Sequence, residues 1–118
     1  MYVSGAIYST NNIVAYSDIR KKENIITVEN ALDKINNLRG VYYNRIDDES
    51  KVRQIGVIAQ EVNEVLPEVV TYAEDVDEYG VQYGNFAGLF IEAIKEQNRI
   101  IDEMKKEIEM LKSKLGEK

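Results

Sequence analysis

Residues 85–115 read NFAGLFIEAIKEQNRIIDEMKKEIEMLKSKL, and the fold follows from how this stretch is read. It holds no Pro, and after Gly88 the next Gly is Gly116. Apolar residues recur in alternating steps of three and four. Ile94, Ile101, Ile108 and Leu115 form one row seven apart, and Gln97, Met104 and Leu111 form the second. Taken as a and d of a heptad, they make a two-column seam along one side of a helix, with Lys, Arg, Asp and Glu filling the remaining faces. A stripe that narrow buries little on its own chain and calls for partner helices.

The competing expectation is an amphipathic helix folded back on its own domain. The repeat runs for about three to four heptads, the length at which a coiled coil becomes the better reading. Near its start the apolar face broadens, with Phe86, Leu89, Phe90, Ile91 and Ala93 joining Ile94, and this part is expected to pack on the preceding domain. Gln97 places a single polar layer in the seam, a device that costs stability and fixes register and strand number. The a/d residues predict an oligomer and do not by themselves choose between two strands and three.

The chain has 118 residues, 44% of them apolar, which suits one compact domain plus the helical stalk. No apolar run is long enough to span a bilayer, and no basic-then-apolar start marks a signal peptide, so we expect a soluble chain without a membrane partner. The net charge of −6, with no basic cluster interleaved with aromatics, argues against nucleic acid. There is no Cys and no His. Disulfides, thiolate nucleophiles, Ser-His-Asp triads and His- or Cys-ligated metals are therefore excluded. Nucleophilic chemistry would have to use Ser or Thr with Lys or a carboxylate as base.

Residues 1–16 are rich in Ser and Asn with scattered β-formers, broken at Gly5 and Asn11-Asn12, and read as the end of a longer upstream segment. A polar run, Ser17 to Asn24, leads to Ile25-Ile26 and then Thr27, a suitable N-cap. Val28, Leu32, Ile35 and Leu38 follow at helical spacing, and Gly40 supplies a stop. Val41-Tyr42-Tyr43 and the run from Val52 to Ile58 flank the turn-forming Asp47-Asp48-Glu49-Ser50, which predicts a β-hairpin arm over 41–58 with a charged tip. Ala59 to Val65 predicts a short helix stopped by Pro67. Val69 to Tyr72 and Gly80 to Tyr83 predict short strands around an acidic loop. The sum is an α+β fold: 1–16 as the end of a passenger segment, 17–84 as a small mixed head, and 85–118 as a C-terminal coiled-coil helix.

Three constellations could carry chemistry. The loop Asp75-Val76-Asp77-Glu78-Tyr79-Gly80 resembles the first half of a calcium loop, but its twelfth position holds Phe86 where the closing Glu should stand. A solvated acidic turn is the better reading, and no metal or cofactor is expected. Arg39, Arg45, Lys51 and Arg53 lie scattered near the hairpin as surface charge that threefold symmetry could gather into an anion pocket. Ser17 and Lys22 are a nucleophile and a base five residues apart, on different faces of a helix but able to meet in a turning segment. Lys can take a Ser proton only where desolvation or neighbouring cations disfavour its charged form, and Asp18, Glu23 or a backbone amide could orient it. By spacing alone this pair is a cap or a turn.

Read together, the segments resemble a known family. Ser17-Asp18-Ile19-Arg20-Lys21-Lys22-Glu23-Asn24-Ile25 resembles the opening motif of the endosialidase-type intramolecular chaperones, self-cleaving C-terminal domains of phage tail spikes, fibres and neck appendages. Gly56-Val57-Ile58-Ala59-Gln60-Glu61-Val62 followed by Leu66-Pro67-Glu68-Val69-Val70 is similar to the central motif. Val81-Gln82-Tyr83 and then Leu89 to Glu96 are similar to the last strand entering the helix. The three lie in family order. The resemblance implies a homotrimer that registers an upstream β-rich stalk of its own precursor in the host cytoplasm during virion assembly. It then releases itself by autoproteolysis, with Ser17 as nucleophile, Lys22 as general base, Asp18 as a residue that could orient the pair, and Tyr16–Ser17 as the scissile bond. A non-catalytic trimerisation or attachment module of a virion fibre is the alternative.

Overall fold

The computed structural model describes residues 1–116. The α+β expectation holds. Three helices, α1 (Ala31–Asn36), α2 (Ala59–Val65) and α3 (Phe86–Gly116), alternate with two separate two-stranded antiparallel sheets. The first sheet pairs β1 (Val41–Tyr43) with β2 (Gln54–Gly56), Tyr42 opposite Ile55. The second pairs β3 (Val70–Ala73) with β4 (Glu78–Val81), Tyr72 opposite Tyr79. Residues 1–16 form neither helix nor strand and are exposed throughout.

The core is small and sits where α1, α2 and the first turns of α3 meet. Ala31, Val62, Leu66, Val69, Phe86, Leu89 and Ala93 are buried, with Leu32, Ile35, Leu38, Val57, Val70 and Val81 packed around them. Leu89 and Ala93 are one helical turn apart, so α3 offers one face to the head. Pro67 ends α2 and starts a 3-10 turn, Pro67–Val69, that swings the chain into β3. Gly56 in β2 lets Tyr83 lie across the strand: a Cβ there would stand 2.7 Å from Tyr83 Oη, which accepts a hydrogen bond from the Val57 N–H at 3.5 Å.

Three expectations shift. The last strand, expected over Gly80 to Tyr83, is Glu78–Val81, and Tyr83–Asn85 forms a 3-10 turn leading into α3. The first helix starts at Ala31 rather than after Thr27. Ile25, Ile26, Thr27 and Val28 are all β-branched and favour extended backbone, and Asn30 turns left-handed at φ 53° immediately before Ala31. The broadened apolar start of α3 packs only in part on the head. Phe86, Leu89 and Ala93 do so, while Phe90, Ile91 and Ile94 point around the helix and remain about half exposed. From Gln97 to Gly116 every residue of α3 is exposed, so the rod does not fold back onto its head. At 31 residues α3 is roughly 46 Å long.

Candidate functional site

The site grows out of one short turn. Ile19–Lys21 forms a single 3-10 turn, capped by Asp18, whose Oδ1 accepts from the Arg20 N–H at 2.8 Å. The backbone N–H of Lys22 donates to the Ile19 carbonyl at 3.1 Å, which closes the turn and carries the Lys22 side chain back toward its start. Lys22 Nζ donates to Ser17 Oγ at 2.6 Å. Residues five apart, which would diverge on an α-helix, are brought into contact because the chain turns tightly and then leaves in an extended conformation at Lys22.

Asp18 has a different task from the one the sequence offers it. Both of its oxygens are taken by Arg20, through Nε at 3.1 and 3.2 Å and Nη2 at 2.8 Å. The Arg20 side chain, then its backbone N–H, hold the Asp18 carboxyl below its usual range. Asp18 therefore shapes the turn that joins Ser17 to Lys22 and makes no bond to Lys22. Both Ser17 and Lys22 are open to solvent, as is Tyr16, whose carbonyl precedes Ser17. Water around an ammonium stabilises its charge and opposes its use as a base, so the contact geometry is present without the desolvation the chemistry needs.

The seam residues Ile94, Gln97, Ile101, Met104, Ile108, Leu111 and Leu115 are all exposed, Leu115 at 73%. The four cations near the hairpin are not gathered in the single chain. Arg39 forms a two-point ion pair with Glu61, both contacts at 2.8 Å, and Arg45 pairs with Asp47. Lys51 Nζ donates to the Ile46 carbonyl at 2.8 Å, and the Arg53 guanidinium stacks 3.7 Å above the Tyr42 ring. Of the acidic loop, Asp75 to Asp77 lie in the turn of the β3–β4 hairpin and Glu78 to Gly80 in β4, with Asp77 left-handed at φ 53° and accepting from the Tyr72 hydroxyl. No group of three or more Asp or Glu among the described residues is placed to hold a metal, and no helix among them is long and apolar enough to cross a membrane.

One contact escaped the sequence reading. The Leu32 N–H at the start of α1 donates to Glu96 Oε2 of α3, 64 positions away, at 3.0 Å. Its only sequence signal is that Glu96 follows Leu89 and Ala93 on the head-facing row of α3.

Residues 17–71 match the family model described as the chaperone of endosialidase, whose designation is that of a peptidase family. This part of the chain is similar to that family. The chaperone match opens on Ser17, takes in Lys22, α1, the first hairpin and α2, and ends inside β3. Relatives carry the name long tail fiber protein Gp37. That of Enterobacteria phage K3 is 42% identical over 82 residues, 63% of this chain and 7% of the relative. That of Salmonella phage S16 is 33% identical over 116 residues, 92% of this chain and 15% of the relative. That of Enterobacteria phage M1 is 34% identical over 116 residues, 88% of this chain and 46% of the relative. The chain thus spans less than half the length of these curated relatives.

Proposed function

We propose that this chain is a trimeric intramolecular chaperone of a phage fibre that frees itself by cutting the Tyr16–Ser17 bond. The observation that carries this reading is the 2.6 Å contact between Lys22 Nζ and Ser17 Oγ at the residue where the chaperone match begins. The uncharged Lys22 amine takes the proton from Ser17 Oγ, which attacks the Tyr16 carbonyl carbon. The proton passes to the Ser17 nitrogen as the C–N bond breaks. This leaves an ester between the Tyr16 acyl group and Oγ, and a free amine on Ser17. Water then hydrolyses the ester, restoring the hydroxyl and leaving Tyr16 as a carboxyl terminus.

Solvent exposure of the pair supports a gate on this reaction. In the lone chain, residues 16–22 are open to water. Assembly would cover residues 16–22 with other copies, strip that water and favour the neutral amine. The seam from Ile94 to Leu115 would drive the assembly. Joining three chain ends in register removes much of the loop-closure cost of threading an entwined β-rich stalk. Cutting afterwards traps the product, because the template for refolding has gone. The relatives' tail-fibre names fit such a passenger, and assembly in the host cytoplasm follows from it.

Expressing the chain behind its upstream fibre sequence and following intact mass tests this. The parent should yield a fragment beginning at Ser17. Ser17→Ala should yield none, and Lys22→Ala should be slowed by about 10²–10⁴-fold, the usual worth of a general base. Processing of both variants at the parent's rate would refute the assignment. The same solvent exposure favours, as a second reading, an attachment module that never cuts, and a fragment starting at Ser17 would eliminate it.

A further inference from the structure

The cleaving pair has few ties to the rest of the molecule. Residues 17–30 are exposed without exception, and the chain passes from Lys22 through two left-handed residues, Asn24 and Asn30, before it reaches the first buried side chain, Ala31. Residues 26–29 line a groove with Leu66, Val69 and Leu89, and Lys34 Nζ of α1 donates to the Glu29 carbonyl at 2.9 Å. How firmly the pair is held therefore depends on how this approach and the start of α1 are seated on the head. That beginning is unusual. A helix normally satisfies its first N–H groups with the side chain of its N-cap residue, and Asn30 makes no such bond. The acceptor comes from the rod instead: Glu96 Oε2 takes the Leu32 N–H at 3.0 Å in a partly buried setting. Glu96 lies beside Gln97, the polar layer of the seam, on the same turn of α3. One residue faces the head and its neighbour faces the seam.

We infer that Glu96 is a positioning residue for self-cleavage, capping α1 from the rod so that the segment bearing Ser17 and Lys22 is held only when the rod is in place. This inference rests on Ser17 and Lys22 being the cleaving pair. The chemistry of the contact is specific: it needs an oxygen acceptor at the reach of a Glu side chain. The Gln carbonyl can replace it, whereas the shorter Asp and the methyl of Ala cannot.

The test is cleavage of the chain carrying its upstream sequence, with oligomer mass by sedimentation, melting temperature and hydrogen exchange of the Leu32 amide measured alongside. Glu96→Ala and Glu96→Asp should each slow cleavage at least tenfold and expose the Leu32 amide to exchange, while assembly is kept and melting falls by no more than a few degrees. Glu96→Gln should cleave within about threefold of the parent, because a single neutral acceptor preserves the cap. Parent-like cleavage in Glu96→Asp and Glu96→Ala would overturn the inference, as would a loss of rate with the Leu32 amide still protected. If Glu96→Ala fails to assemble, the milder Glu96→Asp decides the matter by the same readings. Should Ser17→Ala cleave like the parent, the underlying assignment fails instead, so the two failures are distinguishable.

Discussion

The two halves of α3 are one continuous helix and have opposite surroundings. In its first turns Phe86, Leu89 and Ala93 are buried against α1 and α2, and Glu96 bonds to the backbone of α1. From Gln97 onward nothing of the same chain touches an apolar side chain deeply enough to bury it, although Ile101, Met104, Ile108 and Leu111 are as apolar as the residues above them. Burial of a Leu or Ile side chain contributes about 1.5–3 kcal/mol. The upper half collects this within the chain, and in the proposed assembly the lower half collects it from other copies. Folding of the head and assembly of the rod should therefore respond to different mutations.

Three experiments press on that division. Ile101→Asp combined with Ile108→Asp should abolish assembly altogether, read by sedimentation, while the far-ultraviolet circular dichroism of the head persists; a trimer that survives both charges would break the comparison. Leu89→Ala should act in the other half, destabilising the head by about 2–5 kcal/mol through lost burial and a cavity. Its effect in thermal melts should be the same at low and high protein concentration, whereas the loss from the Ile101 and Ile108 changes should be largest at high concentration, where the parent is assembled, and shrink on dilution.

The smallest effect concerns charge. The bond from the Arg39 side chain holds the Glu61 carboxyl below its usual value of 4.5, and Arg45 and Arg20 do the same to Asp47 and Asp18 against 3.8. A carboxyl lowered on folding stabilises the folded state above its unfolded pKa, and that contribution is lost as pH falls through its folded value. All three pairs lie in the head or beside the dyad and are well exposed, so screening keeps them weak. Melting temperature should decline slightly as pH is lowered below about 4.5, and Arg39→Ala should flatten part of that slope.

Much of the architecture was legible because local signals agreed with one another. α2 spans the residues its Ile58, Val62 and Val65 spacing and Pro67 stop predict, and both hairpins lie where turn-forming acidic residues separate β-formers. The helix from 86 was legible from its heptads. What local pattern missed depended on contacts made across the chain. Four β-branched residues and a left-handed Asn30 delayed α1, and the acceptor that starts it sits 64 positions away on another helix. The contact between Ser17 and Lys22 could be named from residue type and resemblance, but its closure depends on Asp18 turning to Arg20, a partnership that spacing alone does not select.

Equilibrium sedimentation of the purified chain at micromolar concentration tests the central claim most directly, since every functional step proposed above requires the rods to join. The account predicts a species of three times the chain mass that dissociates only on strong dilution. A stable monomer at that concentration would contradict it.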